Sequence, residues 1–163
     1  MAPGLLQPLR HRKHHRAAPV GRVGPPLDVS VSDIDALRDA SVAALRTRSA
    51  LLEERRTKGR VRRCHGDLHL GNICLIDSRP TLFDCIEFSD LISCIDVLYD
   101  LAFLLMDLRH RGLKRQGGLV FNRYLDLTGE DDGLPALALL LSLRASVRAH
   151  VTATGAAKLA SLK

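Results

Sequence analysis

The chain has 163 residues and a formal net charge of +6, and 46% of its residues are hydrophobic, so one domain with a packed core is expected. The mean hydropathy of +0.02 excludes a protein made mainly of membrane spans. The four cysteines match no zinc-binding spacing. Few aromatic residues and abundant leucine favour helices over a β-sandwich.

The positive charge is concentrated near the amino terminus. Residues 1–27 contain five Lys or Arg residues and no acid, so the rest of the chain is close to neutral. Residues 1–29 lack apolar periodicity and contain Gly and Pro breakers, which predicts a basic, disordered arm. Such an arm would contact RNA or DNA phosphates nonspecifically. Because no aromatic residue is interleaved for base stacking, a solvated tail is the simpler interpretation, and nucleic acid is not an expected partner.

Residues 30–153 have the patterns of an organised domain. Ser32 and Asp35 resemble a capping box, and the apolar stripe that follows stops before Gly59, which predicts one long amphipathic helix. Residues 60–63 are then expected to form a short strand that leads into the loop starting at residue 65.

The most informative segment, residues 65–72, reads His-Gly-Asp-Leu-His-Leu-Gly-Asn, and Asp84 follows inside an apolar run. Short apolar runs at 72–76 and 81–83, separated by Asp-Ser-Arg-Pro, predict a β-hairpin. This hairpin would bring Asn72 close to Asp84. Carboxylate and amide oxygens at such positions suit Mg²⁺, and a further aspartate beside a bound nucleotide suits phosphoryl transfer.

The pattern HxDxxxxN followed by an apolar-flanked aspartate resembles the protein-kinase-like superfamily, and specifically the aminoglycoside phosphotransferase family. The resemblance covers roughly residues 34–153. It implies an α+β, mainly helical fold: the C-terminal lobe of a protein-kinase-like fold with a short β-hairpin after the catalytic loop. It also implies that Asp67 is the catalytic base, that His65 braces the loop, and that Asn72 and Asp84 bind Mg²⁺. ATP would be the phosphoryl donor, and a small-molecule hydroxyl would be the acceptor.

Three more acids receive roles from the same resemblance. Glu87 follows the metal-binding aspartate and is a candidate further magnesium ligand. Asp96 or Asp100, in the segment Asp-Val-Leu-Tyr-Asp-Leu-Ala, would accept hydrogen bonds from amides of the catalytic loop without touching substrate.

Other interpretations of this segment stay open. Because imidazole and carboxylate also suit zinc or iron, His65, Asp67 and His69 would be the ligands of a metal hydrolase. No further pair at ligand spacing supports that interpretation, and a structural role within the loop is simpler for His69. Cys64 adjoins the loop, but no neighbouring group activates its thiol, so a buried, reduced cysteine is expected.

Helical periodicity predicts three helices after the hairpin. They are expected at residues 92–108, 119–127 and 135–152, the first of them in the core. Arg144 and Arg148 lie one turn apart and are expected to form a solvated face. The acidic turn at residues 130–132 would cap a helix or, less simply, attract a cationic aminosugar. Residues 154–163 have weak signals and are expected to form a tail.

Relatives in the family have an amino-terminal lobe with a phosphate-covering loop and a lysine. Upstream of residue 34 no strand-rich stretch occurs, and no GxxxxGK(S/T) motif replaces it. The resemblance extends to longer proteins in which a phosphotransferase-like domain precedes a separate ATP-binding kinase-like domain. The sequence therefore predicts a truncated fragment with little or no activity alone, or a non-catalytic remnant that serves as a binding module. A missing N-lobe or ATP-binding domain would be its partner.

Localisation is predicted from what the chain lacks. No signal peptide is recognised, and the apolar stretch at residues 134–143 is too short to cross a bilayer. A cytoplasmic protein without membrane contact is therefore expected.

Overall fold

A computed structural model describes residues 29–160, so residues 1–28, nearly all of the predicted basic arm, and residues 161–163 lie outside it. The described chain is mainly helical with two small antiparallel sheets. The elements are α1 (Val31–Thr57), β1 (Val61–Arg63), β2 (Ile73–Ile76), β3 (Arg79–Leu82), α2 (Asp90–Ser93), β4 (Cys94–Asp96), α3 (Val97–His110), α4 (Lys114–Thr128) and α5 (Leu134–Ala160). The predicted α+β class with mostly helical content is confirmed.

Helix α1 begins with a capping box. The Ser30 hydroxyl accepts a hydrogen bond from the Asp33 amide (3.1 Å), and the Asp33 carboxylate accepts one from the Ser30 amide (3.0 Å). The predicted long helix is confirmed, but its capping pair lies two residues before Ser32 and Asp35 because Ser30 is the residue with extended backbone.

The hairpin is also confirmed. Strands β2 and β3 pair with Ile73 opposite Leu82. Asp77 and Ser78 have φ values of 50° and 62° and form a two-residue turn, which is tighter than the predicted four-residue turn.

One strand and a short helix change the predicted course between the hairpin and the core helix. β1 pairs with β4, so that Val61 lies opposite Asp96, and α2 precedes β4. The prediction that the core helix begins at Ile92 is therefore wrong. Asp96 is the N-cap of α3, with its side chain accepting from the Leu98 amide (2.8 Å), so the helix starts only after the strand.

The core forms where α3 packs against α5. Its buried side chains are Leu98, Leu101, Ala102, Ala136 and Leu140. Helix α1 also contacts α5, and α4 contacts α3. Helices α4 and α5 are both longer than predicted. Helix α4 begins at Lys114 instead of residue 119, and α5 continues through the predicted tail to Ala160.

The apolar stretch in α5 is longer than the sequence prediction allowed. Residues 131–155 are long and apolar enough to cross a membrane by length and composition alone. In the structure, however, α5 packs against α3 and α1, and Arg144 in its middle is only 6% exposed. A core helix of a soluble protein meets the same criteria, so the stretch is weak evidence for a membrane.

A buried arginine joins α1 to the segments before α3 and α5. The Arg55 side chain is fully buried, and its three partners are Asp96 (2.8 Å), Glu130 (3.0 Å) and Asp132 (2.9 Å). Arg60 binds the other oxygen of Glu130 (3.0 Å). Two of the three acids in the predicted acidic turn, Glu130 and Asp132, therefore neutralise this arginine instead of being free to attract a substrate.

Gly133 allows the arginine to approach this closely. A Cβ atom there would collide with Leu98 and would lie 2.7 Å from Nη1 of Arg55. The space that a side chain would fill is occupied by the guanidinium group, so the turn requires glycine at this position.

We expect Arg55→Met to lower the free energy of unfolding by about 3–5 kcal/mol, because it leaves buried carboxylates without their cation. Urea denaturation followed by circular dichroism measures this change. Arg56→Met is the matched control, since Arg56 is exposed and, among residues 29–160, pairs only with Glu53 one turn away, and its effect should be much smaller. Equal losses in the two variants would contradict the role of the buried network.

Candidate functional site

Helix α3 holds the start of the 65–72 loop through Asp100. The carboxylate accepts hydrogen bonds from the amides of His65 (3.0 Å) and Gly66 (3.1 Å), and the residue is 5% exposed. Burial raises the pKa of Asp100, while the two amides and Arg144 act in the opposite direction. The carboxylate is therefore a fixed structural anchor beneath the loop.

Asp107 holds the other end of the loop, two helical turns further along α3. It accepts a hydrogen bond from the Leu70 amide (3.0 Å) and pairs with Arg111 (3.0 Å), and it is 3% exposed. Asp100 and Asp107 are seven residues apart and therefore lie on the same face of α3. The sequence analysis missed Asp107, although two acids at this spacing on a buried helix are the signal that identifies it.

His65 connects the loop to the segment that contains Asp84. Its Nε2 lies 2.8 Å from the carbonyl oxygen of Phe83, and its own carbonyl accepts from the Ile86 amide (2.9 Å). Because the Phe83 oxygen only accepts, Nε2 is the protonated nitrogen and donates. The Nδ1 atom is buried and has no partner among the described residues.

Gly66 lies where these two segments are closest. It has a φ of 82°, and a Cβ there would lie 3.0–3.2 Å from the Ile86 side chain. Glycine is therefore needed both for the backbone conformation and for the close approach.

Asp67 and Asn72 are in direct contact. The Nδ2 of Asn72 donates to the main-chain oxygen of Asp67 (2.9 Å) and to its Oδ2 (3.1 Å). The amide oxygen of the buried Asn72 is therefore the atom that remains for a cation. The Asp67 side chain is 43% exposed, so its carboxylate is accessible from solvent.

His69 supports Asp67 from within the loop. Its Nδ1 accepts from the Gly71 amide (3.0 Å), so the proton is on Nε2, which lies 3.3 Å from Oδ2 of Asp67. The ring packs edge-on against Phe103 of α3, with ring centres 5.3 Å apart. This geometry agrees with the expected structural role of His69.

The hairpin brings Asp84 beside Asn72 along the backbone. The Phe83 amide donates to the carbonyl oxygen of Asn72 (3.1 Å), which extends the pairing by one residue, and the exposed Asp84 follows directly. Asp84 has a φ of 60°, a left-handed conformation that aspartate and asparagine tolerate better than most residues. An amide oxygen and a carboxylate are hard ligands that fit Mg²⁺. The metal-binding role of both residues stays a prediction.

Glu87 and Asp96, the other two acids with a predicted role, have different surroundings. Glu87 is exposed, and its contacts are with the thiol of Cys85 (3.6 Å) and, through its carbonyl oxygen, with Arg63 (3.4 Å). Asp96 pairs with Arg55 and caps α3 instead of binding loop amides. Of the two acids expected to accept hydrogen bonds from amides of the loop, only Asp100 does so in the described structure.

Neither the zinc interpretation nor a reactive Cys64 gains support. Among residues 29–160, no three His, Cys, Asp or Glu side chains come together as a metal site, and the His65 ring is directed at Phe83. Burial raises the pKa of the Cys64 thiol to about 11, so it stays protonated at neutral pH.

Arg144 is buried against the loop, so the prediction of a solvated Arg144 face is wrong. It donates to the carbonyl oxygens of Tyr99 (3.0 Å) and Gly66 (3.2 Å), and it lies 3.6 Å from Asp100. Its guanidinium carbon is 3.9 Å from the centre of the Tyr99 ring and 4.8 Å from that of Phe103. Burial lowers the pKa of Arg144, and the neighbouring aromatic and acidic groups oppose that effect. An acid in the first turn of the core helix and an arginine in an apolar helix were the only signals of this pairing in the sequence.

Comparison with known proteins identifies relatives of the chain. The model of the phosphotransferase enzyme family, APH, matches residues 8–140, so the match begins inside the predicted basic arm. Uncharacterized proteins of Mycobacterium tuberculosis and Mycobacterium bovis are 37% identical to the chain over 87 residues. That segment is 53% of this chain and only 18% of each relative, so the chain spans less than a fifth of the length of these relatives. No solved structure matches the chain.

We expect Asp107→Ala to loosen one end of the loop selectively. Losing the hydrogen bond to its carboxylate should speed amide exchange at Leu70 roughly tenfold, the effect of about 1.5 kcal/mol. Exchange at His65 and Gly66 should change little, because Asp100 still holds them. Hydrogen exchange followed by NMR measures each amide, and a uniform change at all three would indicate global destabilisation instead.

Proposed function

Because this chain belongs to the phosphotransferase enzyme family, we propose that residues 30–153 are the C-terminal lobe of a kinase-like fold. This lobe transfers a phosphoryl group from ATP to a small-molecule hydroxyl with the help of Mg²⁺. The supporting observation is that Asn72 contacts Asp67 through its side chain and pairs through its backbone with Phe83, the residue before Asp84. A base and two oxygen ligands thereby occupy adjacent positions.

Asp67 has the features of a base that orients and deprotonates a hydroxyl. Its Oδ2 is engaged by Asn72 and His69, so Oδ1 is the oxygen available to an acceptor hydroxyl. Both neighbours are fixed by further contacts, since Asn72 is 7% exposed and His69 packs on Phe103. The carboxylate is therefore held in one orientation before substrate arrives, which reduces the entropy lost in reaching the reactive geometry.

Asn72 and Asp84 are the proposed magnesium ligands, with Glu87 as a further candidate. Bound Mg²⁺ would neutralise charge on the nucleotide phosphates, which is the main electrostatic requirement of phosphoryl transfer. His65 contributes by fixing the carbonyl of Phe83, so the backbone at Asp84 cannot shift independently of the loop.

The described residues supply one wall of this proposed nucleotide site. Asp67, Asp84 and Glu87 lie at the surface of the helical lobe, and no second lobe is present among residues 29–160 to cover them. We therefore propose that turnover by this chain alone is low and that an N-lobe or ATP-binding domain completes the site.

Asp84→Asn should reduce binding of magnesium-nucleotide complex by roughly tenfold or more, because it removes the charged ligand while keeping a residue that tolerates the left-handed backbone. Isothermal titration calorimetry with Mg·ADP measures this. Asp126→Asn, on the exposed side of α4, is the control and should bind like the wild type. Equal binding in all three proteins would contradict the proposed metal site.

Asp67→Asn separates binding from chemistry. The variant should retain magnesium-nucleotide binding and lose any phosphoryl transfer, since a base contributes typically 10²–10⁴-fold to rate. The measurement is phosphate transfer to a mixture of hydroxyl compounds detected by mass spectrometry. A wild-type protein that binds nucleotide but transfers no phosphate would instead favour the non-catalytic remnant.

A further inference from the structure

One side of Asp67 faces the α3 and α5 helices through His69. Oδ2 of Asp67 contacts both Asn72 and His69, and the His69 ring packs against Phe103 of α3. The carboxylate therefore connects the hairpin side, where the proposed magnesium ligands lie, with the side formed by α3 and α5. An acceptor molecule would approach the base from the second side.

Two arginines of α5 lie on that side. The guanidinium carbons of Arg144 and Arg148 are 4.8 and 5.9 Å from the centre of the same Phe103 ring. Arg144 is buried and paired with Asp100. Arg148 is half-buried and has no carboxylate within 4.0 Å in the part of the chain that the structure describes. A guanidinium group thus remains available to a ligand near Phe103, the ring that also supports His69, the neighbour of the base.

No free acid competes for this cation on the two helices. Helix α5 contains no Asp or Glu. The only acids of α3 are Asp100 and Asp107, and these are bound to Arg144 and Arg111. Two acids of the turn that would suit a cationic substrate, Glu130 and Asp132, are already bound to the buried Arg55.

We propose that the acceptor substrate has an anionic group, a phosphate or a carboxylate, which Arg148 binds while the hydroxyl of the same molecule contacts Asp67. Guanidinium groups recognise such planar or tetrahedral anions through paired, charge-assisted hydrogen bonds. A cationic aminosugar would meet the uncompensated charge of Arg148 in the same place. This assignment rests on the proposed function, because it takes Asp67 as the base.

The test compares three hydroxyl compounds of different charge. Glycerol 3-phosphate, glycerol and choline are titrated separately into the full chain, and binding is followed by NMR chemical-shift changes. Glycerol 3-phosphate should bind more tightly than the other two. Arg148→Gln should weaken its binding roughly tenfold, the effect of losing a charge-assisted hydrogen bond, whereas Arg148→Lys should retain part of the affinity.

The matched control is Arg123→Gln, which removes an exposed arginine of α4 and should leave binding unchanged. Tighter binding of choline or glycerol, or an equal loss in Arg123→Gln, would overturn the proposal. Mg·ADP binding is measured on the same samples. If nucleotide binds normally but the anionic probe does not, only the anionic substrate class fails; if the probe binds at Arg148 but nucleotide does not, the phosphotransferase proposal fails instead.

Discussion

The pairing of Asp100 with Arg144 determines the geometry of the candidate site, because it lies where α3, α5 and the 65–72 loop meet. Asp100 accepts from two loop amides, and Arg144 donates to the carbonyl oxygen of Gly66 in the same loop. Each charge is buried, so removing one would leave the other without its compensating partner. The shape of the loop is therefore set by helix packing as much as by its own sequence.

Charge pairing also determines which surfaces can recognise ligands. Glu130 and Asp132 are neutralised by Arg55, and the two acids of α3 pair with Arg144 and Arg111. Asp67 and Asp84, by contrast, keep carboxylates at the surface, and no arginine or lysine among residues 29–160 lies within 4.0 Å of either. The distinction between structural and functional acids is thus visible in their partners, not in their sequence neighbours.

The sequence predicted those features that depend on local signals. Turn-forming residues identified the hairpin but not its register, because only Asp77 and Ser78 form the turn and Arg79 and Pro80 already pair with β2. Features that depend on distant partners were missed. Strand β4 forms because β1 pairs with it, and the apolar periodicity of the residues around it resembles a helix. Arg144 looked like a surface residue because nothing in α5 shows that Asp100 and two aromatic rings lie opposite it.

The contacts that shape the loop are unequally distributed along the chain. His65, Asp100 and Asp107 all hold the loop and lie before residue 108, whereas Arg144, the cation that compensates Asp100, belongs to α5. During vectorial synthesis, the ribosome therefore releases the loop and its acidic anchors before their counterion emerges. Until α5 has emerged, the Asp100 carboxylate lacks its guanidinium partner, so we expect the loop to reach its native shape only after α5 packs against α3.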